Sequence, residues 1–407
     1  MTNSVAAELT DLELPVERGC PFTPPAAYER LREQAPISRI RMTSGGEAWW
    51  VSRHEEARAV LADPRFSSDR RHDGYPLFNL DAATLQQLRT QPPVLIGMDG
   101  AEHSAARRPA ISEFTVKRLA GLRPRIQAIV DHFIDDLLAT DRRPVDLVQA
   151  LSLPVPSLVI CELLGVPYAD HDFFQSRTSM MVSRTSQEDR WRAFADVRAY
   201  VDGLVTRKES EPGDDLLSRQ IARQRQTGAL DHTGLVSLAF LLLTAGHETT
   251  ANMISLGVVG LLSHPEQLAL IKADPGRTPM AVEELLRYFT IADTITARVA
   301  TEDVEIGGVS MKAGDGVVVS ALSADWDPAA FENPAELDVE RGDRHHLAFG
   351  YGPHQCLGQN LARMELQIVF DTLFRRIPTL RLAAPAEDLP YKDDAVVYGV
   401  HELPVTW

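Results

Sequence analysis

From about residue 101 to residue 286, apolar residues recur at three- to four-residue spacing, the pattern of helices packed on a core. In residues 124–138 the predicted inner face is Ile126, Val130, Phe133 and Leu137, and Pro124 suits a first helical turn. Ser112 or Thr115 is placed to cap a helix. The run Leu153, Pro154, Val155, Pro156 predicts a break between two helices. Residues 234–262 differ, being apolar nearly all round, as a helix buried on every side would be. At about 1.5 Å per residue that helix would be roughly 40 Å long, the diameter of a domain. A helix of that length belongs at the centre of the fold. It predicts one domain over residues 1–407, although length alone suggests two or three.

The flanking regions carry a different pattern. Residues 21–28 are rich in proline and turn formers, and Trp49, Trp50 and Val51 predict a strand over 48–51. After Arg287 short strands are expected at Val304–Ile306, at Val309–Met311 and over 316–320, the first two joined by a Gly307-Gly308 hairpin turn. Residues 323–346 look irregular, with Pro328 and Pro334. A last helix is expected after Cys356, with Leu361, Met364 and Ile368 on its apolar face. No repeats or linkers are visible. The predicted class is mostly α with a minor β portion, in a single unit with a long central helix.

Composition changes this picture little but excludes some functions. The formal charge of -16 argues against nucleic acid and against anionic lipid, both of which need a Lys/Arg surplus. Three cysteines, Cys20, Cys161 and Cys356, without Cys-x-x-Cys spacing suggest a reducing compartment and no disulfide framework. The N-terminus lacks a basic, apolar leader, and His247 and Glu248 interrupt the longest apolar run before it reaches the roughly 18 residues of a membrane span. A cytoplasmic, soluble, monomeric protein is expected.

The chemistry gathers at Cys356. Phe349-Gly350-Tyr351-Gly352 is a turn-rich loop, and the thiol sits just before a predicted helix, where the dipole and free N–H groups favour thiolate. Gly352 and Gly358 leave room where the backbone must pass close to something large and flat. A buried structural cysteine is one alternative, and zinc held by His345, His346, His354 and Cys356 is another, although finger-like spacing is missing. A dinucleotide loop is excluded, because Gln355 stands where the third glycine belongs. On the central helix, Ala245-Gly246-His247-Glu248-Thr249-Thr250 offers a low-walled spot, and Thr249 can bond a carbonyl one turn back. Glu284 and Arg287 share a helix face at i,i+3, as do His103 and Arg107 at i,i+4.

The segment around Cys356 resembles the haem-binding signature of the cytochrome P450 family, Phe-Gly-x-Gly-x-His-x-Cys-x-Gly. It matches at Phe349, Gly350, Gly352, His354, Cys356 and Gly358. The hexapeptide resembles the family's acid–alcohol motif, and Glu284-Leu285-Leu286-Arg287 resembles its Glu-x-x-Arg, with Arg341 as third member. The family usually has an aromatic where Leu337 stands. The likeness covers the chain from about Cys20 to Trp407 and is closest to soluble actinomycete members.

The resemblance implies a haem-thiolate monooxygenase. Haem b (iron protoporphyrin IX) would be the cofactor and Cys356 the metal ligand, whose thiolate favours O–O cleavage. Cofactor binding would also involve His354, Arg298, His103, Arg107, Phe349, Gly350 and Ala245, the cations meeting haem propionates. Thr249 would donate a hydrogen bond to the oxygen being activated, and Glu248 would relay protons. Glu284, Arg287 and Arg341 would be structural.

With no flavin or nicotinamide fingerprint, a ferredoxin and its reductase would supply electrons to reduce O2. A basic face of Arg107, Arg108, Lys117, Arg118 and Arg344 would dock the carrier. Pocket walls are expected in 66–97, 170–190, the central helix, 291–296 and 396–398. Val94, Leu95, Leu242, Ala245, Thr249, Ile291, Thr294, Ile295 and Val397 are the candidates. Their apolar character predicts a bulky lipophilic substrate, of terpenoid, steroid-like, polyketide or drug-like kind. The 170–190 stretch would be an entrance lid. A zinc hydrolase, or a haem sensor or carrier without catalysis, would be the rivals.

Overall fold

The computed structural model describes residues 13–407 except 15, 17, 43–45, 77–93, 183–185, 229, 394 and 396. Parts of three expected pocket walls, 77–93, 183–185 and 396, therefore lie outside the described residues. Contacts group the chain into two compact units. The first comprises Met1–Ala105, Leu256–Cys356 and Pro385–His401, and the second Ala106–Ser255, Leu357–Ala384 and Glu402–Trp407.

The first unit is built on a six-stranded mixed sheet. Strand Ile37–Met42 pairs antiparallel with Glu47–Val51, which runs parallel to Gly316–Val319. That strand pairs antiparallel with Ala297–Ala300, and Phe66–Ser67 follows. The expected strand at 48–51 lies within Glu47–Val51, whereas Ile37–Met42 was not anticipated. Its Ile/Arg alternation puts Ile40 inward and leaves Arg39 to stack 4.5 Å above the Trp49 ring. Val51, Val60, Phe66, Val304, Met311, Val317, Val319 and Leu347 form one apolar cluster beside the sheet.

The Gly307-Gly308 hairpin forms as expected, both glycines taking the positive φ that a tight two-residue turn requires. The strand expected over 316–320 stops at Val319 because Ser320 turns to cap a short helix, Ala321–Asp325. The irregular stretch expected from 323 therefore begins with the last residues of a helix.

The second unit is mostly helical, with one three-stranded antiparallel sheet in the order Arg381–Leu382, Pro404–Thr406, Val145–Asp146. Helix Arg123–Ala139 buries Ile126, Val130, Ile134 and Leu137, so Ile134 replaces Phe133, which is half-buried. The apolar stripe follows the 3.6-residue period through Ile134 rather than stepping back to Phe133. This helix meets Gln359–Arg376 through Gln127 Nε2–Thr372 Oγ1 at 3.0 Å and Arg376–Asp135 at 2.6 Å. On Gln359–Arg376, Leu361 and Ile368 are buried and Met364 half-buried.

Thr115 does cap a short helix, accepting from Arg118 N, while Ser112 donates to the Pro109 carbonyl instead. The break expected at 153–156 is a change of helix type. A π-helical turn, Val148–Ser152, leads through a helical Leu153 into Pro154–Leu164, whose first-turn prolines need no intrahelical donor.

The long apolar helix spans His232–Ser263, 32 residues. Its residues up to Ser255 belong to the second unit and those from Leu256 to the first. It is fully buried over residues 250–261, while the protein's own residues leave Ala245 exposed and Gly246, Glu248 and Thr249 half-buried. Among the described residues no single helix is long and apolar enough to cross a membrane. The pair His232–Ser263 and Pro265–Ala273, bent by 104°, passes only when joined.

Candidate active site

Cys356 is exposed at the end of a closed loop whose backbone sets its position. Its N–H donates to the Phe349 carbonyl at 2.8 Å, and the Gly350 N–H donates to the Leu347 carbonyl at 2.7 Å. Gly350 and Gly352 have φ of 68° and 73°, a region that favours glycine. A Cβ on Gly352 would lie 2.6 Å from the Leu61 carbonyl oxygen and 3.1 Å from Ala62 Cα. Among the protein's own atoms, the close approach at this glycine is to the end of helix His54–Ala62. At Gly358 an added Cβ meets no protein atom within 4 Å. Gly358 caps helix Gln359–Arg376, three residues beyond which the sequence continues its apolar face.

The histidines do not form one donor set. The His345 ring stacks on Phe331 at 4.4 Å, His346 meets Glu283 at 3.2 Å, and His354 lies 3.7 Å from Asp99 and stacks on buried His103 at 4.1 Å. No group of three His, Cys, Asp or Glu able to hold a metal ion exists among the described residues. Asp99 was missed from sequence, where it reads as an ordinary residue before a helix. Burial pushes its carboxyl upward, but His354, the Ser67 hydroxyl and the Ser68 N–H at 2.9 Å outweigh this and bring it down to about 2.

Arg298 is 6% exposed on strand Ala297–Ala300. Among the described residues its guanidinium has one hydrogen-bond partner, the Ala297 carbonyl at 2.8 Å. Burial pulls its pKa down, opposed by Tyr75 and Asp99. Arg107 is half-buried one turn after His103 on helix Gly100–Ile111.

Glu284 and Arg287 are fully buried and bidentate, at 2.7 and 2.8 Å, with Arg341 Nε 3.1 Å from Glu284. Arg287 also donates to the carbonyls of Asp325 and Pro334, and Asp338 N donates to Glu284. Removing one partner of such a pair costs about 3–5 kcal/mol. These residues staple the irregular segment below the cysteine loop.

The first unit also brings together part of the candidate substrate wall. Tyr398 N donates to the Ile291 carbonyl at 2.9 Å, placing Val397 next to the 291–296 segment. Within that segment Ile291 is buried and Thr294 and Ile295 are half-buried. Asp293 anchors it, accepting from Ser320 Oγ at 2.7 Å, Leu322 N at 2.9 Å and Tyr28 OH at 3.0 Å. Val94 is half-buried and Leu95 buried at the 3-10 turn Leu95–Gly97.

In the second unit Leu242, Ala245, Glu248 and Thr249 follow one another along the long helix. Thr249 Oγ1 donates to the Ala245 carbonyl at 2.7 Å. The low-walled spot is Ala245 alone, because Gly246 faces Ile160, 3.5 Å from where its Cβ would be. In the segment expected as a lid, Phe174 is fully buried against Tyr200 at 4.7 Å, so that aromatic serves packing.

A thiol presented on a glycine-shaped loop before a helix, in a mostly helical chain with an acid–alcohol pair, defines the haem-thiolate monooxygenase class. A family model for cytochrome P450 matches residues 277–391. Cytochrome P450 105A3 of Streptomyces carbophilus is 50% identical over 411 residues, covering 100% of this chain and 99% of that one. The vitamin D3 dihydroxylase of Streptomyces griseolus is 48% identical, with 97% and 96% covered. The crystal structure of cytochrome P450 MoxA from Nonomuraea recticatena is 84% identical, with a TM-score of 0.94 over 97% of this chain and 98% of that one. The chain belongs to the cytochrome P450 family and is a monooxygenase of it.

Proposed function

We propose that this chain inserts one oxygen atom of O2 into a C–H bond of a bulky lipophilic molecule, with Cys356 as the thiolate ligand of haem b. The observation that carries this reading is the Cys356 loop, which leaves the thiol exposed and fixed through Phe349 two residues before a helix cap. The residues present fit the cofactor. Arg298 is a buried cation whose one hydrogen-bond partner among the described residues is a carbonyl, and a propionate would supply a counter-charge. His103, Arg107 and His354 would be the further propionate donors, and Phe349, Gly350 and Ala245 would contact the macrocycle.

When bound, haem supplies the oxygen chemistry, and the thiolate supplies electron push. The chain's own residues do the rest. Thr249 holds a hydroxyl proton, parked on the Ala245 carbonyl, and Glu248 on the neighbouring position exchanges protons with water. Leu242, Ala245, Thr249, Val94, Leu95, Ile291, Thr294, Ile295 and Val397 exclude water and orient substrate. Their apolar character favours terpenoid, steroid-like, polyketide or drug-like molecules, and a dihydroxylase of vitamin D3 among the relatives supports a lipophilic substrate.

A ferredoxin, itself reduced by a ferredoxin reductase, is the electron donor we assign. We take residues 1–407 as one working domain, because helices Gly100–Ile111 and His232–Ser263 each belong to both units. Three free cysteines support a reducing, cytoplasmic setting, and we take the chain to act as a monomer.

The test is the absorption spectrum after dithionite and carbon monoxide. The strongly red-shifted Soret band of thiolate-ligated haem is expected, and Cys356→Ser should abolish it. A band typical of histidine ligation, or a band unaffected by Cys356→Ser, would overturn the assignment.

A further inference from the structure

Glu283 stands next to Glu284 but serves a different part of the chain. Its side chain is 1% exposed, and a buried carboxylate is costly unless partnered. Arg344 Nε lies 3.3 Å from its Oε1, and His346 Nε2 lies 3.2 Å from its Oε2. The other ring nitrogen of His346 accepts from the backbone N–H of Ala348 at 3.3 Å. A ring nitrogen that accepts carries no proton, so the imidazole hydrogen sits on Nε2 and is donated to Glu283. Glu283 thereby fixes the tautomer and the plane of His346.

The preceding amide is held as well. Leu347 N donates to Asp325 Oδ1 at 2.6 Å, and Asp325 Oδ2 accepts from Thr290 Oγ1 at 2.7 Å. Successive amides at the base of the loop are thus gripped by buried side chains, Leu347 N by Asp325 from another segment and Ala348 N by His346, itself held by Glu283. The base passes its position on. The Leu347 carbonyl accepts from Gly350 N, and the Phe349 carbonyl accepts from Cys356 N. Residue 348 lies between those two carbonyls, so a shift of its peptide moves the group that holds the Cys356 amide.

We propose that His346, oriented by Glu283, is a positioning residue for Cys356: by holding the Ala348 amide it fixes the base of the loop that presents the sulfur. The proposal rests on the reading of Cys356 as haem ligand and adds a second support beside the Glu284, Arg287 and Arg341 group. That group braces the irregular segment, whereas His346 acts on the loop itself.

The test uses the haem-loaded full chain and follows the disappearance of the thiolate-type band of its ferrous carbon monoxide complex with time. His346→Ala should lose that band about tenfold faster than wild type, the scale of one lost buried hydrogen bond. His346→Asn places an amide oxygen near the position of Nδ1, restores the bond to Ala348, and should hold the band nearly as long as wild type. His346→Gln reaches Glu283 but not Ala348 and should remain fast. An Ala variant as durable as wild type overturns the proposal. So does rescue by Gln without rescue by Asn, which would leave His346 merely neutralising a buried carboxylate. If the Ala variant does not fold, the contrast between Asn and Gln decides. A wild-type protein with no thiolate-type band would instead overturn the assignment of Cys356.

Discussion

Glu365 lies on the inner face of helix Gln359–Arg376, 3% exposed, and no hydrogen-bond partner among the described residues reaches its Oε2. Burial alone pushes its carboxyl up to about 8. The sign follows from linkage. Between the ordinary glutamate value and about 8, the folded chain holds a proton that the unfolded chain releases, so stability falls as pH rises through that window. Above it, the fold carries the full cost of a buried charge. Glu365→Gln should therefore raise Tm most above about pH 8 and flatten its decline between about pH 5 and pH 8, the removed penalty amounting to about a few kcal/mol of stability. Thermal melts across that range check this, and an unchanged slope would sink it. Nothing in the sequence singles out Glu365, because an acid within a helical stretch reads as solvated whichever face it occupies. Cys356 was legible for the opposite reason. Its loop needs glycine at two left-handed positions, and such a backbone requirement fixes residue types at fixed spacing.

Those two glycines are not equivalent once the loop is seen against its neighbour. Gly350 needs its left-handed backbone, but a Cβ there meets no protein atom within 4 Å. Gly352 needs that and also clearance from the backbone at the end of helix His54–Ala62. A left-handed conformation costs an L-residue about 1–2 kcal/mol. The steric conflict adds to this at Gly352, because a helix backbone cannot turn aside as a side chain can. Gly350→Ala should be the milder substitution and Gly352→Ala should lose more haem on purification and melt lower. The reverse order would show that the helix end yields. Elements with a long apolar period were readable, as helices Arg123–Ala139 and His232–Ser263 show. Strand Ile37–Met42 was not, because Arg39 and Arg41 occupy its outward positions and dilute the apolar count. The π-turn Val148–Ser152 was hidden too, since its composition matches that of an α-helix.

At the scale of the whole molecule, a net charge of -16 must be reconciled with a redox partner that has to find one face. Long-range repulsion from an acidic carrier can be overcome only where local cations are not already neutralised. The structure sorts the candidate cations on that criterion. Arg118 is engaged by Glu113 at 3.7 Å and Asp214 at 3.5 Å, and Arg344 by Glu283 at 3.3 Å. Arg108 and Lys117 are exposed, and no described carboxylate lies within ion-pair distance of either. Screening by salt weakens exposed charge interactions that extend beyond about 10 Å at 0.1 M, so a steered encounter slows as salt is added. Arg108→Glu should cut the second-order rate of reduction by the proposed ferredoxin donor by roughly tenfold at low ionic strength and reduce its salt dependence. Arg118→Glu should do less, because the positive potential it removes is already offset by two carboxylates. Stopped-flow reduction across an ionic-strength series measures both slopes. If Arg108→Glu leaves the slope unchanged while Arg118→Glu flattens it, then pairing in the free protein does not decide which cation the partner feels. The carrier would then have to displace Glu113 or Asp214 from Arg118 on docking.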